Sequence, residues 1–183
     1  MNPMKTALIG LAALLLAGCA STTSSTVGKE VLDPQARWAL LPVVNSTETP
    51  QAGLSAEALV EHHLLGRGVG GLQRYPAALS RDSLFEPTER KLSEEAQKWA
   101  REQGARYAIT GSVEEWRYKV GLDGEPVVGV TLRIIDLGSG RVVWSASGAR
   151  SGWSRDGVSA VAHQLIGGLL ASVRLGNEAT TPR

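Results

Sequence analysis

The residue that most limits this chain is Cys19, the one cysteine among its 183 residues. It closes a stretch that carries a single charge, Lys5, runs apolar from Ala7 to Ala17 and ends in Leu16-Ala17-Gly18-Cys19. A basic start, a short apolar run and small residues before a cut describe a secretory signal. The run is too short to span a bilayer, which takes about 20 apolar residues. An exported chain folds in an oxidising compartment, yet with one cysteine it has no disulfide of its own. Its stability must come from a packed core.

Leu16 to Cys19 also resembles the lipobox of bacterial lipoproteins. That resemblance implies cleavage before Cys19 and acylation of its thiol and of the new N-terminus. An ordinary signal that happens to hold a cysteine, or a short anchor helix, are the alternatives. Each buried CH2 is worth about 0.8 kcal/mol and stable anchoring takes more than one chain, so a multiply acylated Cys19 stays on its membrane. Residue 20 is Ala. Lipoproteins of this type with Asp there tend to stay at the inner membrane, so Ala20 points to the periplasmic face of the outer membrane. The expected organisation is a signal peptide over 1–18, a lipid anchor and flexible tether over 19–36, an α/β periplasmic domain over 37–175 and a disordered tail over 176–183. The polar run Ser21 to Thr26 reads as tether, and Asn177 to Arg183 lacks an apolar period.

A mature chain from Cys19 has room for one domain of ordinary size. Losing Lys5, the only charge before Cys19, brings the formal charge of +1 to zero. A nucleic-acid binder would carry a basic stripe. A neutral total still permits local patches of either sign.

Arg37 to Val44 reads as a buried strand, with Pro42 marking an edge or a bulge near its end. Asn45 to Ala52 is a loop of turn formers. Leu54 to Leu65 reads as a helix stopped by Gly66 and Gly68, and Leu72 to Tyr75 as a short strand. Glu86 to Gln103 is a helix with Pro87 in its first turn and Gly104 after its end; Leu92, Ala96, Trp99 and Ala100 form its apolar stripe. Tyr107 to Val120 reads as a long strand whose apolar parity switches at Glu114-Glu115, which demands a bulge or bend. Val128 to Ile134 alternates as a half-buried strand, Val142 to Ala146 as another, and Val158 to Val173 closes the chain as a helix. The order β-α-β-α-β-β-β-α predicts an α/β sandwich, a single domain with a mixed sheet packed by helices.

Few residues argue for chemistry. Gly66-Arg67-Gly68-Val69-Gly70-Gly71 spells G-x-G-x-x-G, but it follows a helix and precedes a strand, the reverse of a dinucleotide site. A helix end and turn explain it. His62 and His63 are adjacent on one helix and point to different faces, so they do not pair on a metal as i, i+4 residues can. With His163 they read as solvated or partly packed side chains. No G-x-S-x-G elbow occurs, and Ser154-Arg155-Asp156 reads as a helix cap in which Asp156 accepts N–H bonds. No metal, cofactor or acid/base pair is expected.

Two surface features remain. Trp153 sits in Gly152-Trp153-Ser154, flanked by Arg150 and Arg155, without the periodicity that buries a side chain. Trp favours membrane interfaces and Arg meets lipid phosphate; a Trp folded onto the core is the equal alternative. Glu114, Glu115, Asp123 and Glu125 make a strand bend and its hairpin acidic. A charged sheet edge explains them; an acidic surface for a cationic partner is the sharper reading.

Trp38 through Gly53 resembles the opening of the PelC family, lipoproteins of the Pel exopolysaccharide export system. Leu72-Gln73-Arg74-Tyr75-Pro76, Gly111 through Trp116 and Ile135 through Trp144 fit the same family, so the resemblance spans the mature domain. It also reaches a wider group that includes the curli-secretion channel lipoprotein and the lipoprotein activators of peptidoglycan synthases. The resemblance implies a non-catalytic protein that forms a homo-oligomeric ring beneath the outer membrane and works with the outer-membrane porin PelB. It implies that an acidic funnel guides a cationic exopolysaccharide. On that reading Trp153, Arg150 and Arg155 contact outer-membrane lipid, and Asp123, Glu125, Glu114 and Glu115 are glycan-facing candidates. The alternative is an activator of a peptidoglycan synthase. Such a protein needs a long linker, whereas Cys19 to Arg37 spans at most about 60 Å at ~3.3 Å per residue. A lipid-anchored hydrolase lacks a nucleophile or metal site to support it.

Overall fold

The computed structural model describes residues 22–76, 89–120 and 124–176. In chain order the elements are β1 (Thr22–Val27), β2 (Val31–Leu32), β3 (Arg37–Asn45), α1 (Ala52–Gly66), β4 (Gly71–Arg74), α2 (Glu89–Glu102), β5 (Tyr107–Tyr118), β6 (Pro126–Asp136), β7 (Val142–Ser151), α3 (Val158–Ala171) and β8 (Arg174–Leu175). Six strands form one mixed sheet in the order β1-β7-β6-β5-β3-β4, and β2 pairs with β8 in a separate parallel ribbon. The expected α/β sandwich is therefore the fold, with two N-terminal strands and one short C-terminal strand added to the order read from sequence. The start of the second helix around Pro87, the signal, Cys19, Asp123 and the tail from Asn177 lie outside the described residues.

The layering follows from handedness. β3 and β4 are parallel neighbours, and so are β3 and β5. The crossover through α1 runs outward from β3 to β4, while the one through α2 returns across β3 to β5. Right-handed crossovers in opposite directions put their helices on opposite faces. Accordingly α1 and α3 cover one face, burying Trp38, Leu40, Ile109, Val113, Leu132 and Ile134 with Val60, Leu64, Ile166 and Leu170. α2 covers the other face over a smaller core of Ala39, Leu41, Ala108, Ile135, Ala96 and Ala100. Trp38 and Tyr107 lie with ring centroids 4.8 Å apart, and the Trp38 indole N–H donates to the Asp33 carbonyl at 3.0 Å. The strands inside this sandwich are apolar on both faces, which is why β3 reads as a continuous apolar run.

Both expected irregularities are bulges. The register of β3 against β5 shifts between Leu40 and Val43, around Pro42; the Thr110 hydroxyl donates to the Pro42 carbonyl at 2.7 Å. The register of β5 against β6 shifts between Val113 and Glu115, leaving Glu114 as the extra residue. The glycine stops behave as expected. At the end of α1, Gly68 has φ +87° and Val69 N–H donates to Leu64 O; at the end of α2, Gly104 has φ +71° and Ala105 N–H donates to Ala100 O. These six-to-one bonds are Schellman caps, with glycine in the left-handed position.

Two expectations are corrected. Residues 22–27, read as part of the flexible 19–36 tether, pair antiparallel with β7 from Thr22↔Arg150 to Val27↔Ser145. The run is polar because both of its faces are exposed, so apolar patterning cannot reveal it. Its Thr and Val content suits an edge strand. Asp156 does not cap the last helix. Gly157 is the N-cap residue without a side-chain bond, and the Asp156 carboxylate turns back to accept the Trp153 N–H at 2.8 Å.

Candidate functional site

Strand directions collect the sequence-predicted surface residues at one end of the sheet. β5 and β7 run toward that end, β6 starts there, and β1 starts there opposite Arg150. It therefore carries the β5–β6 hairpin, the Trp153 loop, the first residue of β1 and the loop after β3. That last loop is a hydrogen-bonded turn. The Asn45 carboxamide donates to Thr49 O at 2.9 Å and accepts from Thr47 N–H at 3.1 Å, and the Thr49 hydroxyl reaches Trp116 O.

Trp153 projects from this end with 56% of its surface exposed. Gly152 fixes the exit of the loop: its N–H donates to Pro126 O at 2.9 Å, and a Cβ there would meet Val161 at 2.5 Å and Asp156 at 2.8 Å. Asp156 N–H closes the loop on Trp153 O at 2.9 Å. The indole is thus held outward on a rigid turn. Arg150 is half-buried and donates to the Thr22 hydroxyl at 2.5 Å, while Arg155, two residues after Trp153, is exposed. Thr22 is three residues from Cys19, a reach of about 10 Å at full extension.

The acidic candidates divide. Glu114 and Glu115 sit at the β5 bulge opposite Gly129, whose missing side chain leaves space for both. They open onto a shelf on the α2-side face of the sheet that also carries Thr23, Ser25, Thr131 and Ser147. Thr131 and Ser147 hydrogen-bond at 2.9 Å. Glu114 accepts from the Ser112 hydroxyl at 2.5 Å, and Glu115 pairs with Arg117 at 2.7 Å. Glu125 pairs with Lys119 at 3.1 Å. Asp123 lies outside the described residues. Exposed pairs of this kind contribute about 0–1 kcal/mol, so they can exchange partners with a passing cation.

The other motifs are structural. Arg67, inside the G-x-G-x-x-G string, donates to Leu170 O and, at 2.6 Å, to Val173 O. It caps carbonyls at the C-terminus of α3, where a cation suits the helix dipole. Burial lowers its pKa from the usual arginine value. Among the described residues no group of three or more His, Cys, Asp or Glu is arranged to hold a metal, and no helix is long and apolar enough to cross a membrane.

The histidines depart from the expectation of separate faces. His62 and His63 of α1 both meet His163 of α3, with centroids 5.7 and 4.5 Å from it. A side chain two helices share cannot be seen in one helix's spacing. Burial, then the neighbouring His163 and His62, lower the His63 pKa below 6.5, partly offset by its 3.1 Å bond to His163 O. The folded state therefore resists a proton that the unfolded chain accepts. Stability from this site is full above about pH 6.5 and falls as pH drops from there toward the folded pKa. Urea unfolding at pH 7.5 and 5.5 checks this: the native chain weakens at the lower pH, and His63→Asn narrows the difference. An equal drop in both excludes His63 as the source.

One buried group escaped the sequence reading. Glu57 of α1, 7% exposed, accepts Val43 N–H at 3.0 Å through Oε1 and two bonds from Arg74 of β4 through Oε2, at 2.6 and 3.1 Å. β4 ends opposite Leu40, so Val43 beyond the bulge has no strand partner on that side. Glu57 takes the place of one.

No family model and no curated protein sequence matches the chain. Among solved structures, the PelC dodecamer from Paraburkholderia phytofirmans is 41% identical over 86% of this chain and 100% of its own, with a TM-score of 0.73. A point variant of that dodecamer gives 42% identity over 85% of this chain and 100% of its own, with a TM-score of 0.74. The chain belongs to the PelC family. Lipoprotein GNA1162 from Neisseria meningitidis shares the fold at 18% identity, over 74% of this chain and 96% of its own, with a TM-score of 0.53. The family resemblance carried by Trp38 to Gly53, Leu72 to Pro76, Gly111 to Trp116 and Ile135 to Trp144 is borne out.

Proposed function

We propose that this PelC-type chain is a non-catalytic lipoprotein, acylated at Cys19 and seated on the periplasmic face of the outer membrane. There it forms a ring below the porin PelB and guides a cationic exopolysaccharide to the pore. The observation that carries the reading is identity above 40% to a dodecameric PelC across that protein's whole length. The short reach from Cys19 to Thr22 supports a protein held against its own membrane. The same distance opposes the synthase-activator alternative, because about 10 Å of chain cannot carry a domain across a periplasm.

In this proposal Trp153, Arg150 and Arg155 meet lipid. An indole sits well at the headgroup level, half apolar and half wet, and arginine meets phosphate. Glu114, Glu115, Asp123 and Glu125 face the glycan. The shelf around Glu114 and Glu115 offers hydroxyls as well as carboxylates, which suits a sugar chain with ammonium groups. Hairpin carboxylates at the Trp153 end would sit where glycan passes from ring to porin.

Complementation of a strain lacking the protein tests this. Cys19→Ser moves the chain from the membrane fraction to the soluble periplasm and stops export. Asp123→Lys with Glu125→Lys leaves the chain in the membrane but lowers exported glycan about tenfold, the scale of lost electrostatic guidance. Full export by the soluble variant contradicts membrane seating. Full export by the reversed hairpin removes Asp123 and Glu125 from the glycan path.

A further inference from the structure

Histidine is the side chain whose ordinary pKa puts its charge change near neutrality. This chain has three histidines, and all three meet at one seam between α1 and α3. His62 and His63 stand near the C-terminal end of α1 with ring centroids 5.4 Å apart; His163 of α3 lies 5.7 Å from the first and 4.5 Å from the second. His62 and His163 are exposed, while His63 is half-buried. The seat of His63 is shaped for a ring. A Cβ at Gly167 of α3 would meet the His63 ring at 2.6 Å, so the missing side chain makes the room that the imidazole fills. His63 Nε2 is also 3.1 Å from His163 O, to which an Nε2–H donates. The charges around this seam give a proton no partner. The neighbours that act on His63 are His163 and His62, which carry its own sign when protonated. The acids of α1, Glu57 and Glu61, lie against Arg74. His163 is the one titratable or charged residue in the 14 of α3. Arg67, one turn past His63, is a further cation held on Leu170 O and Val173 O. The strand residues beneath the two helices, Leu132 and Ile134 among them, are apolar.

We infer that His62, His63 and His163 form a proton-operated latch between α1 and α3. With the rings neutral, His63 fills the notch at Gly167 and ties the end of α1 to α3. With a proton bound, the half-buried ring moves to water, because burial disfavours its charged form and the neighbouring imidazoles repel it. The bond to His163 O outlasts protonation, so it opposes the release without preventing it. A second proton on an adjacent ring adds like charge at the same place. The loosening is local. α2 and the six sheet strands hold no histidine, so acid acts on the seam and leaves the sheet paired. The latch stands apart from the lipid contact and the glycan path. On the periplasmic reading it gives the domain a response to acid surroundings, confined to its helical layer.

Amide hydrogen exchange of the mature protein in detergent micelles, at pH 7.5 and at about pH 5, tests the latch. Protection is taken against the unfolded chain at the same pH, so the intrinsic pH dependence of exchange cancels. Acid should lower protection in residues 59–67 and 161–171 by about tenfold, the equivalent of one pKa unit. Residues 107–113 and 128–134 of the sheet should keep theirs, since local opening leaves the rest of a fold protected. His63→Asn and His163→Gln each remove one ring and keep a polar side chain, and in both the acid effect at the seam should shrink. His163 is exposed, so its replacement leaves the fold intact even where His63→Asn weakens it. Three results overturn the inference. Loss of protection shared equally by sheet and helices means that acid unfolds the whole domain. Full protection of the seam at about pH 5 means that the rings stay seated. An acid effect that both variants retain places its source outside the histidines.

Discussion

Glu57→Ala lowers the free energy of unfolding by about 3 kcal/mol, and the melting temperature by roughly 6 to 12 °C at ~2–4 °C per kcal/mol for a domain of this size. The carboxylate is buried, and its loss touches two groups at once. Val43 N–H loses its acceptor inside the protein, which costs about 1–3 kcal/mol. Arg74 loses its nearer counter-charge but keeps Glu61 at 3.9 Å, and its guanidinium is about a third exposed and can turn to water, so its share is the smaller. Glu57→Gln keeps an acceptor for Val43 and should cost about half as much. Arg74→Ala should cost about 1 kcal/mol. A double-mutant cycle in urea isolates the coupling of Glu57 to Arg74, with Glu61, 3.9 Å from Arg74, unchanged in every variant. A loss below about 0.5 kcal/mol for Glu57→Ala would mean that water replaces the carboxylate at Val43, and the account of this bulge would fail.

Much of the sheet is legible because its strands are either apolar throughout or strictly alternating. β3 is apolar on both faces since helices cover both. Val128, Val130, Leu132 and Ile134 alternate because one face meets α1 and α3. The parity switch at Glu114-Glu115 could be turned into a bulge without coordinates, since a period of two cannot change phase without an extra residue. β1 could not be read this way. Its Thr and Ser residues are exposed on both faces, and only the register against β7 makes them a strand. The same limit hid Glu57 and Arg74, which meet across the crossover from α1 to β4. A glutamate at an apolar helix position looks like any other charge until its partner is placed beside it.

The surface site divides along the same line. Trp153 was readable as an outlier, a large aromatic among glycines with no period to bury it. Whether it faced the core or solvent was open, and the turn closed by Asp156 and Gly152 decides for solvent. That Thr22, Arg150 and the hairpin converge on the Trp153 end was not readable, because it depends on strand direction and on the pairing of Thr22 with Arg150. The histidines taught the converse. Two adjacent side chains judged by helix spacing alone looked unrelated, yet a third ring from α3 bridges them.

The second large effect concerns assembly. In a closed ring each protomer presents two different patches, so the contact is heterologous and rotation closes it. On the proposed reading, lipid on every copy would confine the chains to a plane and raise their effective concentration, and a chain of zero formal charge from Cys19 onward would not oppose crowding. Membrane attachment and ring formation would then reinforce each other. The acylated chain should assemble fully where the Cys19→Ser chain, free in solution, dissociates on dilution. The direct measurement is native mass spectrometry of the mature acylated protein released from detergent micelles. The account predicts one discrete closed species of about twelve copies, the stoichiometry of the Paraburkholderia relative. A monomer, or an open ladder of sizes without a preferred number, would contradict it.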